Sequence, residues 1–430
     1  MPPELLNTDG NPGVRASYYA LNDMFALLGR AAPPTPLAVR TEPGIGLSTD
    51  ALPPETAGKD LVVVVWEAAL VPQETGDYNF GLRGDGFFRV SLNGTPVTMA
   101  FNTNGAETKL GRVHFEAGKI YALKVQYRLN THASEPPRLV WAKRVPGPTP
   151  EAVAAAKDAD VVVAVVGITS ELEGEEMLVS EDGFKGGDRT SIDLPKPEQD
   201  LLEGVAAAGK PLVAVLMNGS ALNVNWVKEH ANAILEAWYS GEEGGAAIAQ
   251  TLAGVNNPSG RLPVTFYTGV DQLPPFEDYS MANRTYRYFT GTPLFPFGYG
   301  LSYSKFAYSK VKLSAKNVKA GDPLNVDADV KNTSQRDGDE VVELYLAFPK
   351  LPGAPIRALR GFTRVHIRAG KTTHVRLALN SRDLSYVNDA GDRIIAPGNY
   401  SVSIGGGQPG TAAPVVESGF TITGQTQLPE

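Results

Sequence analysis

The 430-residue sequence contains no cysteine. Disulfide bonds, thiolate metal sites and a cysteine nucleophile are therefore excluded. Long apolar runs are missing as well. One of the longest begins at Leu61 and is broken by Glu67, far short of the roughly 20 apolar residues that a membrane-spanning helix needs. We therefore expect no membrane partner.

An excess of positive charge is also lacking. The formal net charge is −8, and Lys and Arg form no run. Because an acidic surface repels phosphate backbones, no nucleic-acid partner is expected. The five histidines are scattered, without the spacings of metal sites, so neither a metal nor another cofactor is expected. The N-terminus has no charged segment followed by an apolar stretch, so we see no signal peptide, and the compartment stays undetermined.

The segment from about residue 11 to 146 has the pattern of an all-β domain. Tyr78, Phe80 and Leu82 alternate with polar or small residues, which is typical of a half-buried strand. The pair Asn93-Gly94 is a strong hairpin signal. Short strands separated by turns rich in glycine and proline predict a β-sandwich or a β-barrel.

The segment from about residue 147 to 294 alternates between helices and strands. Thr149-Pro150-Glu151 has the features of a helix start. The apolar run at 160–167 suits a strand that is buried on both faces, as in a parallel sheet. Further strands are predicted at 211–219 and 233–239, and a helix at 244–254. This alternation predicts an open α/β sheet.

The last segment, about residues 295–424, returns to strands. Val342, Leu344 and Leu346 alternate with other residues, and similar patterns recur at 374–380 and 399–406. Regular turns between these strands predict an immunoglobulin-like β-sandwich. The fold class is therefore a multidomain chain that combines α/β and all-β domains.

The loop after the first predicted parallel strand is the richest in ionisable side chains. Ligands of open α/β sheets bind beyond the carboxyl ends of the strands. Crowded carboxylates raise one another's pKa, and a protonated carboxyl is what the general acid of glycoside hydrolysis needs. A solvated acidic loop is the alternative, and a calcium loop would need an order of acids that is absent here. The carboxyls are Glu171, Glu173, Glu175, Glu176, Glu181, Asp182 and Asp188.

Several motifs together resemble a known family. VVGITSELEGEEM (165–177), GGDRTSIDLP (186–195) and AILEAWYSGEEGGAAIAQTLAG (233–254) occur in this order. They resemble the α/β-sandwich domain of glycoside hydrolase family 3 β-glucosidases and β-xylosidases. FPFGYGLSYSKF (295–306) is similar to the family's junction into a fibronectin type III-like domain. Residues 66–94 are similar to the protective-antigen-type lectin-like domain that some of these enzymes carry as an insert.

The resemblance implies a retaining mechanism with an Asp nucleophile on a (β/α)₈ barrel and a Glu acid/base in the α/β domain. Glu173, followed by Gly174, matches the acid/base position, and Glu171 and Glu175 are the alternatives. Asp188 and Arg189 would anchor the loop as an ion pair. The implied substrates are oligosaccharides or aryl β-glycosides, and relatives are often periplasmic or secreted. Asp85 lacks the neighbouring Asp of calcium-binding lectin-like relatives, so calcium is not expected.

The sequence departs from the family in one respect: it has neither a barrel pattern nor a Ser-Asp-Trp-like nucleophile motif. A retaining mechanism needs two carboxyls about 5 Å apart. We therefore expect negligible hydrolysis by this chain alone, and a separate barrel chain or a homo-oligomer as partner. The α/β domain should then show an exposed sheet edge or apolar face. The alternatives are a non-catalytic carbohydrate-binding or accessory protein, and a truncated reading frame.

Overall fold

The computed structural model describes residues 6–8, 10–20, 35–46, 52–101, 105–129, 135–145, 147–170, 172–174, 179 and 181–429. The chain forms two compact units. The first comprises Met1–Ala154, Ser170–Thr190 and Pro195–Gly204, and the second comprises Ala155–Thr169, Ser191–Leu194 and Val205–Glu430. No helix in the described ranges is long and apolar enough to cross a membrane.

The first unit is built mainly from antiparallel strands. One sheet has the order β2-β1-β5-β10-β7-β8, with β3 joining β4 to β5, and a second sheet has the order β11-β6-β9. The strands are β1 (Leu6–Thr8), β2 (Asn11–Pro12), β3 (Val14–Ala20), β4 (Ala38–Glu42), β5 (Val62–Leu70), β6 (Gly76–Asp85), β7 (Phe88–Leu92), β8 (Thr95–Ala100), β9 (Ala106–Phe115), β10 (Tyr121–Arg128) and β11 (Arg138–Lys143).

Alternation along these strands fills one core with aromatic and branched side chains. Tyr78, Phe80 and Leu82 of β6 all point into it, together with Trp66 of β5. The predicted hairpin at Asn93-Gly94 joins β7 to β8, and Asn93 and Gly94 have φ angles of 50° and 80°. Two successive positive φ angles match the twist of the flanking strands, which is why this dipeptide signals a tight turn.

The next part of the chain carries the helices. Its elements are α1 (Pro150–Asp158), β12 (Val162–Gly167), β13 (Phe184–Lys185), β14 (Asp188–Arg189), α2 (Lys196–Ala206), β15 (Leu212–Met217), α3 (Asn225–His230), β16 (Ala233–Glu236), α4 (Gly244–Leu252) and α5 (Thr285–Tyr288). The strands β12, β15 and β16 form a parallel sheet in that order. The predicted open α/β arrangement is present.

Two details of this sheet differ from the predictions. The strand β12 was expected to be buried on both faces, but the side chains of Val163 and Val165 are 48% and 56% exposed. Val163 and Val165 lie on the same face, which is therefore largely uncovered. The strand is also at the edge of the sheet and pairs only with β15 among the described strands. The exposed edge that the sequence led us to expect is therefore present. The strand predicted at 233–239 ends at Glu236, because Trp238 has a φ of 55° that strand geometry excludes.

The C-terminal part is a two-sheet β-sandwich. The sheets have the orders β17-β19-β22 and β18-β26-β25-β20-β21, and a small third sheet has the order β23-β24-β27. Its strands are β17 (Phe306–Leu313), β18 (Asn317–Lys319), β19 (Leu324–Asn332), β20 (Gly338–Ala347), β21 (Arg357–Ile367), β22 (Thr372–Leu379), β23 (Tyr386–Val387), β24 (Arg393–Ile395), β25 (Gly398–Gly405), β26 (Val415–Thr423) and β27 (Thr426–Gln427).

The core of this sandwich takes side chains from both large sheets. Leu344 of β20 is fully buried in it, as the alternation predicted, and Val326 of β19 is fully buried as well. A buried ion pair lies where the chain enters the sandwich: Arg261 donates to Glu340 at 2.7 Å, and Tyr308 donates to the other Glu340 oxygen at 2.6 Å. We name Arg261, Glu340 and Tyr308 the Arg261 cluster.

Candidate active site

The loop between β12 and α2, which we name the acidic loop (residues 170–190), contains a short hairpin. Its strands β13 and β14 pair Phe184 with Arg189. Gly186 and Gly187 form the turn, with φ angles of 62° and 92°. Such a turn needs two successive positive φ angles, and glycine adopts them without the steric cost of a side chain.

The backbone at Gly174 touches this hairpin. A Cβ atom added to Gly187 would lie only 1.7 Å from the carbonyl oxygen of Gly174. The two chain segments therefore approach so closely that no side chain fits at position 187. This contact fixes the residue that precedes Gly174, the predicted acid/base Glu173, beside the hairpin.

Glu173 faces a cation of the hairpin. Its carboxylate lies 3.8 Å from the guanidinium of Arg189, and the two side chains are 19% and 15% exposed. Arg189 in turn lies over the ring of Phe184, at 5.6 Å from the ring centroid. The sequence predicted that Asp188 and Arg189 anchor the loop as an ion pair, whereas the ion pair that the structure describes for Arg189 is with Glu173. Neighbouring residues of a strand point to opposite faces, and Asp188 is exposed.

Two arginines of the first unit hold the start of the hairpin. Arg144, just after β11, binds both carboxylate oxygens of Glu181, at 2.5 and 3.0 Å. Arg112 of β9 binds Asp182 at 3.3 Å and Asp77 at 3.0 Å. Glu181 and Asp182 thus face cations rather than other carboxylates. The expectation of mutual crowding does not apply to these two side chains.

Sequence reasoning missed both arginines. Arg144 is 37 residues from Glu181, and Arg112 is 70 residues from Asp182. No local spacing signals a contact over such separations. The alternative acid/base residues Glu171 and Glu175 lie outside the described residues, and so does Glu176. The assignment of Glu173, Glu171 or Glu175 as the acid/base therefore stays a prediction.

A further carboxyl lies at the carboxyl end of the parallel sheet, in the second unit. Burial raises the pKa of Glu236, the last residue of β16, to about 7. One of its oxygens accepts a bond from the backbone N–H of Trp238 at 3.2 Å. The side chain of the fully buried Asn218 lies close enough to Glu236 to oppose this rise in pKa, but the other Glu236 oxygen and Oδ1 of Asn218 make no hydrogen bond of good geometry among the described residues. A protonated Glu236 therefore avoids burying an unpaired charge. Glu236 ends an apolar run, so nothing in its local sequence marked it.

Charged clusters elsewhere do not suggest a metal centre. Within the described ranges, no group of three or more His, Asp or Glu side chains converges in a way that could hold a metal ion. Among the described residues, the groups at the candidate site are the carboxylate of Glu173, its partner Arg189 and the turn glycines 186 and 187.

Comparisons with known proteins identify both parts of the chain. The family model "Glycosyl hydrolase family 3 C-terminal domain" matches residues 48–303, and the model "Fibronectin type III-like domain" matches residues 340–408. The xylan 1,4-beta-xylosidase of Xylanibacter ruminicola is 37% identical over 343 residues, which cover 79% of this chain and 39% of that protein. The periplasmic beta-glucosidase of Salmonella typhimurium is 38% identical over 268 residues, which cover 59% of this chain and 34% of that protein.

A solved structure shares the fold along most of the chain. The beta-glucosidase from Kluyveromyces marxianus, in complex with glucose, covers 99% of this chain with a TM-score of 0.60 and 24% sequence identity. The chain spans about two-fifths or less of the length of the curated relatives named above, 39% and 34%. The family model accounts for more than half of the sequence, with a fibronectin type III-like domain after it, and the chain thus belongs to glycoside hydrolase family 3.

Proposed function

We propose that this chain supplies the acid/base part of a retaining β-glycosidase that hydrolyses the O-glycosidic bonds of oligosaccharides ending in xylose or glucose. The names of its relatives, beta-xylosidase and beta-glucosidase, support the two sugars. The observation that carries the proposal is Glu173, held beside the Gly186-Gly187 hairpin and next to Arg189. The nucleophile comes from a (β/α)₈ barrel that lies outside this sequence.

The chemistry of the reaction explains why such a carboxylate needs a defined position. In a retaining mechanism one carboxyl protonates the leaving oxygen and later deprotonates the attacking water, while a second forms the glycosyl intermediate about 5 Å away. Protonation works only within hydrogen-bond reach of the leaving oxygen. A loop that is closed by a backbone contact and tied by arginines holds one carboxylate in place without burying it.

The barrel would dock beside the open α/β sheet. Val161, just before the edge strand β12, and Val163 and Val165 within it leave an apolar surface, and the outer side of an edge strand accepts further backbone partners. We propose the domain boundaries 11–146, 147–294 and 295–424 for the three parts. The first part is proposed to be a protective-antigen-type lectin-like domain that binds glycan near the site.

The test of this proposal measures release of p-nitrophenol from aryl β-xyloside and aryl β-glucoside. We expect negligible hydrolysis by the chain alone, and activity once a family 3 barrel domain is supplied. In that active complex, Glu173→Gln should lower kcat by about 10²- to 10⁴-fold, the usual contribution of a positioned acid/base. The loss should be much smaller with a 2,4-dinitrophenyl leaving group, which departs without protonation.

A matched control separates chemistry from loop structure. Glu181→Gln removes another carboxylate of the same loop, one that binds Arg144, and should leave the leaving-group dependence unchanged. Variants of Glu171 and Glu175 are measured alongside. If one of them shows the leaving-group signature and Glu173→Gln does not, Glu173 is not the acid/base. Hydrolysis by the chain alone would overturn the need for a barrel, and glycan binding without hydrolysis in the complex would favour an accessory protein.

A further inference from the structure

A cavity of about 620 Å³ lies in the second unit, between the segment that follows α5 and the β-sandwich. Its wall includes Tyr286 and Phe289 on one side, and Ile356, Arg357 and Gln408 on the other. A second cavity of about 230 Å³ shares Ile356 and Arg357 with it. The larger cavity alone is in the range of ligand pockets, which span roughly 300 to 1,000 Å³, and Glu417 lines only the smaller one.

The charge of the larger cavity is opposite to that of the protein. Lys228 and Arg357 line it, and no Asp or Glu is among its described lining residues. The whole chain has a formal net charge of −8. A site that gathers cations and excludes carboxylates in an acidic protein favours an anionic ligand.

Of these two cations, Arg357 gives the stronger indication of an anionic ligand. Its side chain is half-buried at the start of β21, and no hydrogen bond or ion pair of its guanidinium is found among the described residues. Burial lowers its pKa, and the opposing influence comes from the hydroxyl of Tyr345 rather than from a carboxylate. Buried guanidinium groups normally have an anionic or hydrogen-bonding partner. Arg357 therefore carries donors that a ligand can use in a forked, two-bond contact.

The cavity also contains buried acceptors without donors. Gln408 is 7% exposed and Thr265 is 8% exposed, and Oε1 of Gln408 and Oγ1 of Thr265 have no hydrogen-bond partner in the described part of the chain. Buried polar atoms are usually paired with protein groups, ordered water or a ligand, so these two acceptors can take donors from a molecule that enters the cavity. A ligand rich in hydroxyl groups supplies such donors, and Tyr286 and Tyr299 add aromatic surface.

We propose that this cavity is a binding site for a saccharide that carries a carboxylate, with Arg357 binding the carboxylate and Gln408 and Thr265 accepting bonds from its hydroxyls. All lining residues of the cavity belong to the second unit, whereas the acidic loop belongs to the first. Its anionic preference is argued from the cavity alone, while the choice of a saccharide also rests on the proposed function. A uronic acid is the simplest ligand of this class.

The experiment titrates the purified chain with glucuronic acid, glucose and inorganic phosphate by calorimetry. We expect glucuronic acid to bind at least about tenfold more tightly than glucose, because only its carboxylate can form a charge-assisted pair with Arg357. Phosphate should bind more weakly than glucuronic acid, because it does not reach the hydroxyl acceptors. The interaction should weaken as salt is added.

Matched variants assign the effect to the cavity. Arg357→Gln should weaken glucuronic acid binding about tenfold or more. Arg364→Gln, in the same strand but paired with Asp339 at the surface, should leave binding unchanged. Ala412→Trp narrows the cavity without altering its charge and should also weaken binding.

The outcomes separate this site from the acidic loop. Equal binding of glucose and glucuronic acid, or equal effects of Arg357→Gln and Arg364→Gln, would overturn the proposal. Phosphate binding as tight as that of glucuronic acid would overturn the saccharide assignment. Because the titration needs no hydrolysis, Glu173→Gln should not change it, so a failure of the glycosidase assay and a failure of this site are told apart.

Discussion

The acidic loop and the Arg261 cluster both depend on arginine–carboxylate pairs, but water reaches them differently. The side chains of Arg144 and Glu181 are 20% and 29% exposed, whereas those of Arg261 and Glu340 are 9% and 2% exposed. Exposed pairs contribute about 0–1 kcal/mol, because solvent screens them. A buried pair that loses one partner leaves an uncompensated charge and costs roughly 3–5 kcal/mol. Similar contacts thus orient a loop in one region and maintain the fold in the other.

The largest expected effect comes from breaking the buried pair. Arg261→Met removes the cation beside Glu340 and also the bond that Arg261 donates to the Gly406 carbonyl. We expect the free energy of unfolding to fall by about 3–5 kcal/mol. Urea denaturation measures it, and Arg364→Met is the exposed control. The double variant Arg261→Met with Glu340→Gln should lose less free energy of unfolding than the two single variants lose together. A loss below about 1 kcal/mol in the single variant would show that burial does not distinguish the two regions.

The second-largest expected effect is a change in how the free energy of unfolding depends on pH, caused by the buried carboxyl of Glu343. Glu343, 3% exposed in β20, accepts a bond from Tyr345 at 2.6 Å, and burial raises its pKa from 4.5 to about 7. A raised pKa means that the folded state holds its proton more tightly. The stabilisation is complete below pH 4.5, falls as the pH rises through 7, and is absent above it. The shift corresponds to about 3 kcal/mol.

The replacement Glu343→Gln tests this dependence. The amide keeps an oxygen acceptor for Tyr345 and has no proton to lose, so stability should vary less between pH 4.5 and 7 than in the unmodified chain. Glu236 and Glu340 have raised pKa values as well, so part of the slope should remain in this variant. Glu417→Gln, at an exposed site of the same sandwich, is the control. An unchanged slope in Glu343→Gln would mean that Glu343 does not titrate in this range.

The smallest expected effect on stability comes from the acidic loop. Arg144→Gln removes both bonds to Glu181, yet unfolding should change by less than about 1 kcal/mol, since the pair is partly exposed. The loop itself should open more often, and trypsin should cleave after Lys185 several-fold faster. Lys143→Gln, which removes a more exposed pair with Glu74, is the control and should alter neither quantity. If Arg144→Gln lowered the free energy of unfolding as much as Arg261→Met, the acidic loop and the Arg261 cluster would contribute equally to the stability of the fold.

Local patterns predicted much of the fold. The Thr149-Pro150-Glu151 start gave the helix α1, and Asn93-Gly94 gave the hairpin between β7 and β8. Those signals depend on backbone preferences of a few adjacent residues. The exposed face of β12 was misjudged because an apolar run has the same appearance in a central strand and in an edge strand.

The candidate site was only partly accessible to sequence reasoning. Glu173 and the glycines around it stand in a recognisable order, so their place in one loop was predicted. The contacts of Arg112 and Arg144 bring together strands far apart in sequence, and only the folded chain shows them. Glu236 was missed for a different reason. Its raised pKa arises from desolvation, and a glutamate at the end of an apolar run does not reveal in the sequence that it will be buried.

The close approach of the Gly174 and Gly187 backbones holds together the two ends of the loop that lies between them. Lengthening such a loop adds little conformational cost, about 0.6 kcal/mol for each doubling of its length. The hairpin and the contact between Gly174 and Gly187 need not change when residues are added to or removed from this loop. Apart from Glu181 and Asp182, which bind Arg144 and Arg112, carboxylates can therefore be inserted, deleted or shifted there while Glu173 keeps its contact with Arg189. This loop is a practical position for redesigning the surroundings of the acid/base residue.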